Sequence, residues 1–174
     1  PTAGKAEVVG FPVEELGVEF TACVGYLAER LALYDDLRVE ETLLFFGKLR
    51  GYSTKEVEER VEVVLKTVGL TAYRRRIVGT LSKGYRQRLG LAQAILHDPK
   101  VLILDEPFSG FDPLQRVDIR ELLLRLARER LVLFSTHVLS DVERLATRII
   151  VLADGRVVAD GDRDTLADQV GLRA

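Results

Sequence analysis

Methionine and tryptophan are missing from these 174 residues altogether, cysteine occurs once and proline only five times. A lone Cys23 has no partner for an internal disulfide and cannot build a thiolate cluster, so a reducing compartment is expected. The five prolines and 14 glycines are scattered, which excludes collagen and linker-type sequence. Excess charge is also lacking. The 25 basic and 27 acidic residues leave a net charge of −2, so no cationic field draws the chain to nucleic acid or anionic lipid. No apolar run approaches the roughly 20 residues of a membrane-spanning helix. No signal peptide opens the chain and no segment repeats at a solenoid period. The expectation is a cytoplasmic domain. The start at Pro1 without any Met raises the question of whether the sequence is a whole protein.

What is present is ordinary globular chemistry, with 47% hydrophobic and 30% charged residues. Chains of about 100–200 residues form one domain and bury roughly two thirds of their unfolded surface. Glu7–Val13 reads as short β structure and Val24–Leu27 as an apolar stretch. Val39–Arg50 reads as a helix with Leu43, Leu44, Phe46 and Leu49 on its buried stripe. Ser53 with Glu56 is a capping box. Val57, Val61, Val64, Leu65 and Val68 follow at helical spacing until Gly69 closes the helix. Tyr85–Leu96 is helical and ends at Asp98-Pro99.

The continuous apolar run Val101–Leu104 suits a strand covered on both faces, as in a parallel sheet. Asp112-Pro113 forms an N-cap and N1 pair for a helix reaching Arg130. Leu131–Ser135 is a second buried-type strand, and Ser140 with Glu143 is another capping box. Arg148–Ala153 and Arg156–Asp160 flank Asp154-Gly155, a two-residue hairpin signal. Strand, helix, strand, helix and hairpin together give an α/β fold with a largely parallel sheet.

Chemistry gathers around the central strand. A hydrophobic strand ending in Asp105-Glu106 can hold Mg²⁺ and a base, and parallel sheets build sites at their C-terminal edge. The same dipeptide also serves as an N-cap or a surface acid. Ser82 and the backbone of Gly84 open the helix before this strand, where free N–H groups and the helix dipole favour an anion. Ser109-Gly110-Phe111-Asp112-Pro113 gives a tight loop and helix start. His137, in Ser135-Thr136-His137, stands at the end of the next strand. Arg74-Arg75-Arg76 reads as a solvated face, and His97 as a surface residue before Pro99.

In this order the motifs resemble the ATP-binding domain of ABC transporters. "LSKGYRQRLGLAQAIL" is similar to the family's signature motif, "VLILDEP" to its Walker B strand, "SGFDP" to its D-loop and "STH" to its switch histidine. The resemblance runs from Pro1 to near Gly161. "GYLAE", the Tyr-bearing signature and "GRVVADG" look most like ATPase subunits of multidrug and similar export systems. By this resemblance the fold is the P-loop NTPase-like ABC ATPase, with a helical signature subdomain at about 35–95 and a core at about 99–161. Asp105 helps hold Mg²⁺, Glu106 is the catalytic base and His137 contacts the γ-phosphate. Ser82, Gly84 and Gln87 belong to the nucleotide-contacting signature, which faces ATP on the opposite subunit of a head-to-tail dimer. Asp112 lines the dimer seam. Glu29 stands where the family usually has a Gln that senses Mg²⁺. The implied partners are a transmembrane permease and a second ATPase subunit, with the chain peripheral at the inner face of the membrane and no nucleic acid bound.

One part of the family pattern is missing. No G-x-x-x-x-G-K-[ST] phosphate loop occurs. Thr2-Ala3-Gly4-Lys5 lacks the first Gly, and Ala6 replaces the hydroxyl. "PTAGKAEVVG" instead resembles the segment just after the phosphate-loop helix, and no adenine-stacking aromatic precedes it. The expectation is an ATPase domain truncated at its N-terminus, with core surface exposed beside Val101–Leu104 and inactive by itself. Two alternatives stay open: an ABC-type ATPase acting on nucleic acid or ribosomes, and a non-enzymatic fragment offering its signature and D-loop to another subunit.

Overall fold

The apolar run after Asp98-Pro99 becomes the middle strand of a three-stranded parallel sheet. In the computed structural model, which describes residues 4–13, 17–162 and 164–166, Val24–Leu27 (β3) and Leu131–Ser135 (β5) flank Val101–Asp105 (β4). The register sets Leu27 beside Leu104 and Asp105 beside Ser135. Leu102 and Leu104 of one face and Val101 of the other are buried, while Ile103 is half-buried, so the strand is covered on both faces but less completely on the second. The central strand itself is covered because the chain returns after its next helix to pair with it, and β3 and β5 form the two edges of the sheet. The apolar surface expected to lie exposed beside Val101–Leu104 falls on β5, where Leu131 and Leu133 are exposed. Ahead of this sheet lie a small antiparallel pair, Glu7–Val8 (β1) and Phe11–Pro12 (β2), and a short helix, Val18–Cys23 (α1). The reading of Pro1-Thr2 falls outside the described residues.

Three helices separate β3 from β4: Val39–Leu49 (α2), Thr54–Thr67 (α3) and Lys83–Ile95 (α4). Helix α2 buries Val39, Leu43 and Gly47 at four-residue steps. A Cβ on Gly47 would overlap Val57 of α3, so this glycine sets how closely the two helices approach. That rotation leaves Leu49 exposed and Phe46 only half-buried, against the expected stripe.

Helix α3 starts where the capping box places it. The Ser53 N–H donates to Glu56 Oε2 at 2.9 Å, and the Glu56 N–H donates to Ser53 Oγ at 3.3 Å. Its stripe Val57, Val61, Leu65 and Val68 is almost fully buried, each side chain contributing about 1.5–3 kcal/mol of transfer free energy. The helix closes at Gly69 (φ +73°), with the Leu70 N–H donating to the Leu65 carbonyl at 2.8 Å.

Helix α4 begins two residues before Tyr85, because Ser82 takes the N-cap position and accepts from the Tyr85 N–H at 3.4 Å. His97, expected on the surface, is only 6% exposed. The tight turn after α4, with Asp98 at φ +54°, folds its ring inward, and Nε2 meets the Val24 carbonyl at 3.0 Å. Helix Pro113–Leu126 (α5) begins as its sequence signals, with Asp112 Oδ1 accepting from the Gln115 N–H at 2.8 Å.

The described residues from Thr136 onward form a second compact unit. It holds helix Leu139–Leu145 (α6) and the hairpin Ile149–Ala153 (β6) and Arg156–Gly161 (β7). Asp154 (φ +49°) and Gly155 (φ +72°) make its turn, as the Asp-Gly pair predicts. The Ser140–Glu143 capping box does not form. The helix enters at Leu139 with Val138 at the N-cap, so Ser140 is already inside it.

Candidate nucleotide site

The end of β4 is a polar relay. Parallel register brings Ser135 beside Asp105, and the Ser135 hydroxyl donates to Asp105 Oδ1 at 2.5 Å. Ser135 Oγ in turn accepts the Glu106 backbone N–H at 3.1 Å. Glu106 itself lies at φ +47°, a left-handed conformation that non-glycine residues seldom adopt. The chain thus turns sharply where the strand ends, and the Ser109 N–H closes the turn on the Glu106 carbonyl at 3.0 Å. The donor set is two adjacent carboxylates and a hydroxyl, all hard oxygens. It suits Mg²⁺, which usually takes one or two carboxylates and completes its shell with water and phosphate. The described residues contain no group of three or more His, Cys, Asp or Glu that would make a protein-only metal cage.

The start of α4 is a close-packed turn. Because the Ser82 oxygen accepts the cap bond from Tyr85, its hydroxyl hydrogen stays available to a ligand oxygen. A Cβ on Gly84 would overlap Gln115 Oε1 and stand 3.1 Å from Phe111 Cδ1. A Cβ on Gly110 would meet the Lys83 side chain at 2.5 Å. The loop before α5 and the first turn of α4 therefore interlock through two glycines. On the other side Tyr85 stacks on Tyr73, with centroids 4.0 Å apart and hydroxyls at 2.7 Å. That hydrogen bond raises the pKa of the Tyr85 phenol, and burial adds to the rise.

The remaining candidates are placed as follows. Asp112 is committed to capping α5. Gln87 is 3% exposed, and its Nε2 has no hydrogen-bond partner among the described residues. Glu29 is exposed two residues beyond Leu27, the register partner of Leu104, and so belongs to the C-terminal edge of the sheet that carries Asp105. His137 is exposed, in the turn before α6 of the second unit. Sequence reasoning missed Ser135, Phe111, Gln115 and Tyr73. Only Ser135 left a signal, as the last residue of a strand parallel to one ending in Asp.

With this geometry in hand, similarity to known proteins becomes informative. Residues 1–109 match the ABC transporter family. The chain is 39% identical, over 97% of its length, to the uncharacterized ABC transporter ATP-binding protein YxlF of Bacillus subtilis, covering 56% of that protein. It is 36% identical, over 98% of its length, to the Nod factor export ATP-binding protein I of Neorhizobium galegae, covering 49% of it. The chain thus spans about half the length of these curated relatives. A solved ATP-binding subunit of an ABC transporter superposes on all of the chain and on 73% of its own length, with a TM-score of 0.86 at 31% identity. A parallel sheet ending in Asp-Glu, a serine-capped helix before it and this breadth of similarity have one explanation: the chain belongs to the ABC transporter ATP-binding family, with its P-loop ATPase fold.

Proposed function

We propose that the chain is the signature- and Walker B-bearing part of an ATPase subunit that drives export across a membrane. The observation that carries this is the relay through Ser135, whose hydroxyl holds the Asp105 carboxylate and the Glu106 backbone N–H at one strand end. Asp105 and Ser135 would hold Mg²⁺, which when bound neutralises charge on the phosphates. Glu106 accepts the proton of the attacking water. Ser82, Gly84 and, one turn further on, Gln87 serve ATP held by a second subunit in a head-to-tail dimer. Asp112 lines that seam, His137 contacts the γ-phosphate, and Glu29 stands near the metal side. Residues 35–95 act as the helical subdomain and 99–161 as core.

No helix among the described residues is long and apolar enough to cross a membrane; the export reading assigns passage of the solute to a permease partner. The exposed Tyr34, Phe45 and Leu49 give such a partner an apolar surface. The export reading leans on the similarity to the Nod factor export ATP-binding protein I. A second reading is a chain that supplies Ser82 and Asp112 to another subunit's ATP, and it rests on the close packing of the first turn of α4 against the 109–112 loop.

The test is steady-state ATP hydrolysis by the whole gene product, with and without its membrane partner. Glu106→Gln should lower the rate by about 10²–10⁴-fold, as loss of a general base does, while nucleotide binding persists. The chain by itself should bind ATP weakly or not at all and show no measurable hydrolysis, and micromolar ATP affinity for it would overturn that expectation. A wild-type complex without ATPase activity would favour the second reading.

A further inference from the structure

Arg88 lies on α4 one turn after Gly84, on the same helix face. Its Nη1 donates to the Val68 carbonyl at 3.0 Å, where α3 ends, and its Nη2 to Asp118 of α5 at 3.3 Å. Its Cζ lies 5.8 Å from the centre of the Phe111 ring. The side chain is only 12% exposed. Phe111 is buried and also touches the ground a Gly84 Cβ would occupy. One ring therefore covers both Gly84 and Arg88, and it belongs to the loop that carries Asp112. Within that loop the Ser109 N–H reaches the Glu106 carbonyl at 3.0 Å and the Phe111 N–H the Phe108 carbonyl at 3.5 Å. Its backbone bonds are thus local, and the ring is what ties it to α4.

We propose that Arg88 is a positioning residue. Through Phe111 it holds the 109–112 loop and the first turn of α4 as one body, so Ser82 and Asp112 keep a fixed separation. Its fork reaches one acceptor at the end of α3 and another on α5 while its Cζ lies over the Phe111 ring. A lysine ammonium, a single point charge, cannot serve all three. The functional consequence rests on the proposed nucleotide role of Ser82 and Asp112, whereas the structural content does not.

The experiment uses the whole gene product assembled with its membrane partner, comparing Arg88→Met, Arg88→Lys and Phe111→Leu by hydrogen exchange and ATPase kinetics. In Arg88→Met the amides of Arg86, Gln115 and Arg116 should exchange about tenfold faster and in step, while Leu102–Leu104 are unchanged. Arg88→Lys should fall between that variant and wild type. kcat should drop about tenfold with KM for ATP within about twofold, the pattern of contacts completed only in the transition state. Acceleration of one segment without the other, or equal acceleration in β4, overturns the proposal. If Arg88→Met fails to fold, Phe111→Leu carries the same comparison. A wild-type complex without ATPase activity overturns the functional reading, while the exchange pattern still decides the role of Arg88.

Discussion

The end of β4 and the start of α4 both offer groups suited to phosphate chemistry, yet they are built in opposite ways. At the strand end, polar atoms hold one another: a hydroxyl bridges a carboxylate and the next backbone N–H across two strands. At the helix start, what matters is the missing Cβ of Gly84 and Gly110, which lets a loop and a helix turn approach to contact. The first arrangement is sensitive to chemistry at fixed shape, the second to shape at fixed chemistry.

Substitutions that separate these sensitivities can break the contrast. The largest effect on folding is expected from Gly84→Val, which drives a branched side chain into Phe111 and Gln115. Overpacking of this kind costs about 1–3 kcal/mol, to be read as a lower urea midpoint at constant m. An unmoved midpoint would show that close packing does not define the helix start. Ser135→Ala removes two exposed hydrogen bonds, about 0.5–1 kcal/mol each, and should matter less to folding and more to hydrolysis. A rate about tenfold lower corresponds to 1.4 kcal/mol of transition-state stabilisation. Full activity in this variant would mean that holding the Asp105 carboxylate and the Glu106 backbone does not matter to hydrolysis.

The smallest effect at neutral pH belongs to His97, at the opposite end of the strands. Burial, followed by the nearby Arg50, lowers its pKa from 6.5 to about 4. The unfolded chain takes up this proton near pH 6.5 and the folded chain only near pH 4. The contribution of the neutral imidazole is therefore complete above about pH 6.5 and is lost as the pH falls toward 4. Melting of wild type against His97→Gln at pH 7 and pH 5 checks this. Wild type should lose ground to the variant at pH 5, and an equal gap at both pH values would refute it.

The contrast also explains what could be read in advance. Asp105 and Glu106 follow an apolar run, so the strand end announces itself locally, as do the Ser53–Glu56 cap and the Asp154-Gly155 turn. Ser135 could not be assigned its relay, because its partner lies 30 residues away and depends on strand register. Leu49 was misplaced because Gly47, not an apolar side chain, sets the face that α2 buries. Arg88 left no signal, since on a helical wheel it counts as one more polar residue facing water. The placement of His97 depended on a turn with Asp98 in a left-handed conformation, which no hydrophobic pattern encodes.

The left-handed backbone of Glu106 has a consequence for sequence variation. Glycine is the residue that this φ of +47° suits best, and glycine brings no carboxylate. Glu106→Gly would relieve local strain and remove the proposed base in one step. Folding and catalysis thus make opposing demands on a single codon, and a chain under no demand for hydrolysis would drift there toward glycine or asparagine.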